Sequence, residues 1–555
     1  MPRPTLLFIA TRLPSFVRCC RRFFASDSFE NSAEEEIYST LLRRYAEKSD
    51  SYHGRGIHAK FVKAVIAGLV QHGCPNEALS LFCRMHRDGT TKPNEFTLVS
   101  TLHACSLVEN LTQAYQLYSF VVRLGFESNI FLLNAFLTAL IRHGELAGAL
   151  EVFENCRTKD IVSWNAMMAG FLQFSFADVP KFWYRMTCEG VKPDSFTFSS
   201  VLTGLAALSD FKLGLQVHAQ LVRYGYGVEI CVGNSLADMY IKNQKLVEGF
   251  RAFDGMPVRD VCSWTQMAAG CLLCGEPSKA LEIVAEMKKM GVKPNKFTLA
   301  TALNACANLA SLEEGKKVHG LRIKLGTDID VCVDNALLDM YAKCGCVDNA
   351  WTVFQSMNDH SIVSWTTMIM ACAINGQARK ALKIYDEMRL KDIQPNYITF
   401  ICVLYACGQG GFIDEGWELF SSMTRDYGIL PVEDHYACMV NLLGRAGCVK
   451  EAEEFILRMP FQPGVLVWKT LLGACHVYGD MEIGKRAAEH VLNLDGKDPS
   501  TYVVLSNLFA GLSNWDGVGM LRELMEARDV KKMPASSWIE IEKNHSLLPK
   551  LEGFM

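Results

Sequence analysis

The sequence predicts an all-α fold, an α-solenoid of stacked antiparallel helix pairs. Three observations carry that prediction. First, related segments begin at Ala59, Ile161, Val261 and Ile362, at intervals of 102, 100 and 101 residues. Three of them open alike ("IVSWNAMMAG", "VCSWTQMAAG", "IVSWTTMIMA"), and all four end alike ("GTTKPN", "GVKPD", "GVKPN", "DIQPN"). Second, each period divides into three units of about 35, 35 and 31 residues. The second unit opens "EFTLVSTLHAC", "SFTFSSVLTGL", "KFTLATALNAC" or "YITFICVLYAC", and the third "IFLLNAFLTAL", "ICVGNSLADMY", "VCVDNALLDMY" or "EDHYACMVNLL". Third, every unit repeats one internal plan: an apolar run, a Gly-containing break such as Cys344-Gly345 or Asn375-Gly376, and a second run with helical spacing. In "ARKALKIYDEM", Ala381, Leu382, Ile384, Tyr385 and Met388 share one helical face, while Lys380, Lys383 and Glu387 lie off it. Gly291-Val292-Lys293-Pro294 closes such a run, because proline cannot continue a helix. One helix pair cannot bury its apolar face alone; stacked pairs can, and they form a superhelix with a long concave surface.

Taken in order, residues 1–24 contain Arg3, Arg12, Arg18, Arg21 and Arg22, with no acidic residue before Asp27. This arginine-rich, acid-poor start, carrying Leu6, Leu7, Phe8, Ile9 and Phe16, reads as an organelle transit peptide. Arg22-Phe23-Phe24-Ala25-Ser26 resembles a mitochondrial processing site cut after Phe24. Removing that segment takes the formal net charge from −4 to −9. Residues 25–58 form a leader, residues 59–463 hold twelve helical repeats, and residues 464–541 form two further helical motifs before a tail at 542–555. Half of the residues are apolar and 21% are charged, which suits a folded chain. The 21 cysteines are scattered singly, so the expected role is small buried packing, with reduced thiols. No stretch reaches the ~20 predominantly apolar residues of a membrane span; the uncharged run Ile393–Ile413 contains Gln394, Pro395, Asn396 and Gln409.

The Ser-Trp-Asn/Thr opening, the Ala-Leu-x-x-Phe/Tyr-x-x-Met second helix and the Gly-Val-x-Pro-Asp/Asn ending resemble the pentatricopeptide repeat. The tetratricopeptide signature of Trp, Leu-Gly, Tyr and Ala-Phe is not found. The alternation of unit lengths is similar to the plant-type PLS subclass, and "VLVWKTLLGACHVYGDMEIGKRAAEHVLNL" with "TYVVLSNLFAGLSNWDGVGMLRELMEARDVKKMPASSWIEIE" resembles its E-type carboxy-terminal motifs. The resemblance covers residues 59–541 and implies a right-handed superhelix that binds single-stranded RNA, one base per repeat.

It also implies which residues read. The family's deciding positions are the fifth residue of a unit and its last. Asn134 with Asp160, Asn165 with Asp194 and Asn234 with Asp260 imply uracil. Thr265 with Asn295 and Thr366 with Asn396 imply adenine, and Asn335 with Ser361 implies cytosine. The second residue of each such unit would pack on the base face: Phe131, Val162, Cys231, Cys262, Cys332 and Val363. Helix packing is the competing role for these apolar residues, and helix capping for the Asn and Asp. The middle units carry Val99, Ser199, Ala300 and Ile401 at the fifth position, most of which cannot make the needed hydrogen bond; the first unit has Lys63 and the last Ala437. The unit Ile161–Asp194 is one residue short and has Pro180 in its second helix, which leaves its local geometry irregular. The implied RNA order is N-N-U-U-N-U-A-N-C-A-N-N.

A zinc deaminase needs His-x-Glu followed by Pro-Cys-x-x-Cys. The one His-x-Glu is His143-Gly144-Glu145 and the one Cys-x-x-Cys is Cys271-Leu272-Leu273-Cys274, over 120 residues on and without the proline. No Walker loop, Gly-x-Gly-x-x-Gly or Gly-x-Ser-x-Gly occurs. The expectation is a non-enzymatic chain without cofactor or metal. Its expected role is to recognise sites in mitochondrial RNA (plastid RNA as the alternative) for cytidine-to-uridine editing. A DYW-type deaminase would act in trans, and no membrane would be involved. Transcript stability, splicing or translation control is the alternative within RNA binding, and a protein-interaction scaffold, favoured by the acidic charge, the alternative outside it.

Overall fold

The structure is a computed structural model that describes residues 63–530, apart from 89–91, 109, 157, 327–329, 512 and 529. The expected transit peptide, the leader and residues 531–555 lie outside the described residues. The described residues contain helices and turns and no strand. They fall into two compact units, one ending at Asn243 and the other starting at Gln244.

In both units the chain is an α-solenoid of stacked helix pairs. First helices begin at Glu95, Ile130, Ile161, Ser195 and Ile230 in the first unit, and at Val261, Lys296, Val331, Ile362, Tyr397 and Glu433 in the second. Each is the first residue of a predicted repeat. The cause is local. The last residue of most repeats sits in extended backbone and caps the next helix, as when Asp160 Oδ1 accepts from the Ser163 backbone N–H at 2.8 Å and Asn396 Oδ1 from Thr399 at 2.9 Å. Glu229 and Val432 are exceptions that supply no side-chain cap. Within each unit, first helices pack on the first helix of the next repeat and on their own second helices, while second helices also touch the following first helix.

The 31-residue repeats lose their residues from the second helix. Leu146–Asn155, Leu246–Asp254, Val347–Ser356 and Val449–Leu457 have 9 or 10 residues, against 13 in Pro277–Lys289 and Ala378–Leu390. Three of these short helices end on a recurring aromatic contact. Trp164, Trp264 and Trp365, each the fourth residue of its repeat, meet Phe153, Phe253 and Phe354 edge-on at 4.9, 5.0 and 5.0 Å. All three indoles are buried. Gly345 and Gly376 turn the chain between helices at φ 79° and 73°, where a side chain would be strained.

Pro180 does not distort its repeat. It lies in the first turn of the helix Asp178–Cys188, where its missing N–H has no intrahelical partner to lose. The cysteines do not all pack as expected. Cys105, Cys271, Cys306, Cys372, Cys402, Cys407 and Cys475 are buried, but Cys83, Cys188, Cys231, Cys262 and Cys332 are exposed. All cysteines described are free. Burial pushes the Cys372 thiol up to about 11 and that of Cys402 to about 12, which leaves them unreactive.

Beyond the repeats, the helices Val465–Tyr478, Met481–Leu494, Pro499–Gly511 and Trp515–Ala527 continue the second unit. Trp468, Leu471, Tyr502, Leu505 and Phe509 join the core formed by Val440 and Leu443 of the last repeat. No helix among the described residues is long and apolar enough to cross a membrane.

Candidate nucleic-acid interface

Four of the six predicted pairs of fifth and last residues come together as side-chain clusters at the junctions between repeats. In the first unit, Asn134 Nδ2 donates to Asp160 Oδ1 at 3.2 Å. Asn165 Nδ2 lies 3.0 and 3.1 Å from the two carboxylate oxygens of Asp194. Burial opposes ionisation of Asp160, but hydrogen bonds from the Ser163 backbone and hydroxyl and from Asn134 outweigh it and hold its carboxyl below the usual range. Asp160 therefore stays an anion and a pure acceptor at neutral pH. Capping and pairing are thus not alternatives here: one carboxylate does both.

In the second unit the pairs meet through a hydroxyl. Thr265 Oγ1 lies 2.6 Å from Thr298 Oγ1, which donates to Asn295 Oδ1 at 3.0 Å. Thr366 Oγ1 lies 3.0 Å from Thr399 Oγ1, which donates to Asn396 Oδ1 at 3.0 Å. Asn335 and Ser361 are not joined in this way: Ser361 Oγ pairs with Ser364 Oγ at 3.0 Å, and the buried Asn335 Oδ1 has no hydrogen-bond partner among the described residues. Asn234 holds the fifth position of Ile230–Lys242 in the first unit, and Asp260 caps Val261–Leu273 in the second, accepting from Ser263 N–H at 2.8 Å.

The expected base-packing residues point outward. Phe131 is 71% exposed, Val162 52% and Val363 53%, and Cys231, Cys262 and Cys332 are exposed as well. Plain helix packing does not describe them. Sequence reasoning missed two further groups at the same junctions. The middle repeats carry exposed Phe96, Phe196 and Phe297 at the second position. The third residue, Ser163, Thr197, Thr298 or Thr399, is buried and bonded to both members of the reading pair. The signal was in the sequence, as the Ser or Thr at the third place of "IVSW", "SFTF", "KFTL" and "YITF".

No group of three or more His, Cys, Asp or Glu among the described residues is placed to hold a metal ion. His143 caps the end of Ile130–Arg142, with Nε2 2.9 Å from the Cys105 carbonyl, and Cys271 is buried at the end of Val261–Leu273. Both serve the packing of their repeats.

Comparison with known proteins agrees with this architecture. The PPR repeat family matches residues 259–308 and 360–409, the PPR repeat matches 62–90, 335–362, 398–427 and 434–461, and the E motif matches 478–540. Pentatricopeptide repeat-containing protein At4g33170 of Arabidopsis thaliana is 37% identical over 86% of this chain, which spans 48% of that relative's length. Pentatricopeptide repeat-containing protein At2g13600 of the same plant is 35% identical over 85% of this chain and 73% of its own. Two further relatives, each 34% identical, are named mitochondrial (At3g53360) and chloroplastic (At3g49170). Among solved structures, the pentatricopeptide repeat protein PPR10 in complex with an 18-nt psaJ RNA element superposes with a TM-score of 0.52 at 18% identity, over 86% of this chain and 80% of that one. By its repeats, its E motif and these relatives, the chain belongs to the pentatricopeptide repeat family.

Proposed function

We propose that this chain is a sequence-specific single-stranded RNA-binding protein of an organelle. In this reading it is a site-recognition factor for cytidine-to-uridine editing that recruits a DYW-type deaminase in trans. The observation that carries the reading is the polar cluster at successive repeat junctions, seen at Asn134–Asp160, Asn165–Asp194, Thr265–Thr298–Asn295 and Thr366–Thr399–Asn396. Each couples a fifth residue to a last residue and leaves donor and acceptor capacity for a base edge. An outward apolar neighbour at the second position gives the base a face to rest on. A protein scaffold has no need for such pairs in register.

The complex of PPR10 with an RNA element and the family's E motif support the same reading. The domain plan follows it: a transit peptide at 1–24, a leader at 25–58, repeats over 59–463, E-type motifs over 464–541 and a tail at 542–555. Mitochondria are the proposed compartment, from the arginine-rich start and the Phe24 site, with the plastid as the alternative. Selection from a randomised single-stranded RNA pool at one stated salt concentration tests the reading. Enrichment of the order U-U-N-U-A-N-C-A supports it. Recovery of unrelated sequences, or of none, overturns it.

A further inference from the structure

We propose that the buried hydroxyl at the third residue of one repeat is a positioning residue for the base read by the repeat before it. The inference rests on the base-reading proposal above. On this account the middle repeats, whose own fifth residues do not read, complete the reading site of their predecessor. Thr197, Thr298 and Thr399 all belong to middle repeats and are fully buried. Each reaches back across the junction: Thr197 Oγ1 lies 2.7 Å from Asn165 Oδ1, Thr298 Oγ1 2.6 Å from Thr265, and Thr399 Oγ1 3.0 Å from Thr366. Ser163 does the same for Asn134 at 2.7 Å.

The direction of these bonds sets what the base meets. Asn295 Oδ1 accepts from the Thr298 backbone N–H at 2.9 Å and from the Thr298 hydroxyl at 3.0 Å. The Thr298 proton is therefore committed to Asn295, and its oxygen accepts the Thr265 proton. Thr265 then offers outward only a lone pair, beside the two N–H groups of Asn295. An acceptor beside a donor complements the amino group and ring nitrogen of adenine. Thr366, Thr399 and Asn396 repeat the arrangement. At Asn165 the Thr197 hydroxyl touches the amide oxygen while Asp194 takes the amide nitrogen, so turning the amide over would set its oxygen against the Asp194 carboxylate.

The pattern holds where reading is absent. Three of the four 31-residue repeats have Leu132, Val232 and Val333 at the third place, after Val99, Ser199 and Ala300 at the fifth; the fourth has His435 after Ile401, and its ring bonds the Val432 and Tyr397 backbone and no fifth residue. Ser199 bonds Ser235 instead, at 2.7 Å. Asn335 is the informative exception: Ser364 is engaged by Ser361, so this position should discriminate least among the proposed readers.

The test is the full chain carrying Thr298→Val, which keeps the side-chain shape and the backbone N–H that Asn295 Oδ1 caps, and gives up the 3.3 Å contact from the Asn295 N–H. Dissociation constants are measured for RNAs with each of the four bases under the repeat Val261–Asn295, at one salt concentration, alongside thermal unfolding. The expected result is a loss of about three- to tenfold in the preference for adenine there, the value of one net hydrogen bond. Preference under Ile362–Asn396 should be unchanged, and Thr298→Ser should behave as the parent. Thr399→Val should shift the loss to the base under Ile362–Asn396. Full preference in Thr298→Val, an equal weakening for every RNA, or loss of preference in Thr298→Ser would overturn the inference. A parent chain with no preference at either position would overturn the base-reading proposal and this inference with it.

Discussion

Asn165→Ala isolates one reading site. In the parent, Asn165 donates to Asp194 at 3.0 and 3.1 Å and accepts from Thr197 at 2.7 Å, and its side chain is 8% exposed. The substitution removes these bonds but leaves the helix cap, because Asp194 still accepts from the Thr197 backbone at 2.8 Å. The repeat should therefore fold, at a cost of about 1–3 kcal/mol for the partners left unpaired in a buried site. A bidentate base contact discriminates by about 1–3 kcal/mol, so the preference for uracil over cytosine under this repeat should fall roughly 5- to 150-fold. Fluorescence anisotropy with two RNAs differing only at that base reads the ratio directly, and a third RNA varied under Val261–Asn295 serves as the control. An unchanged uracil-to-cytosine ratio refutes the reasoning. So does an equal loss for all three RNAs, because it would mean that Asn165 supports the fold and not the reading.

Two further outcomes follow from the packing. His435 is fully buried, with Nδ1 accepting from the Val432 N–H at 3.1 Å and Nε2 donating to the Tyr397 carbonyl at 2.9 Å, and burial lowers its pKa below 6.5. The unfolded chain then takes up the proton first, so this stability is present above pH 6.5 and is lost as pH falls below it. His218 and His319, held against Tyr240 and Tyr341, act in the same sense, and melting temperature should drop between pH 7.5 and 5.5; a flat profile contradicts the argument. Trp264→Ala should cost about 3–5 kcal/mol, because it empties a buried site against Phe253, and urea unfolding should show a loss well beyond 1 kcal/mol.

Much of this architecture is legible in the chain because it is set locally. Residues such as Asp160, Asn295 and Asn396 end one repeat and cap the next helix, so unit boundaries and helix starts coincide. The difference between 35- and 31-residue units is visible as a length but not as a place; only the structure assigns it to the short second helices such as Leu246–Asp254. Pro180 shows the limit of counting positions, because the same residue breaks a helix interior and is harmless in a first turn. Cysteine composition misleads for a similar reason: Cys372 and Cys262 look alike in an apolar run, yet one faces the core and the other is exposed. The reading pairs were legible only through resemblance, since Asn134 and Asp160 are 26 residues apart. The third-position hydroxyl escaped because a Ser or Thr there is fully explained as a capping residue until its distance to the preceding repeat is known.

The central claim is that successive repeats read successive bases. Binding of the full chain to two short single-stranded RNAs at one salt concentration tests it most directly, one with the order U-U-N-U-A-N-C-A and one with those bases permuted. Tighter binding of the first, by well over tenfold, is the result this account predicts. Equal binding of both, or binding of neither, would contradict it.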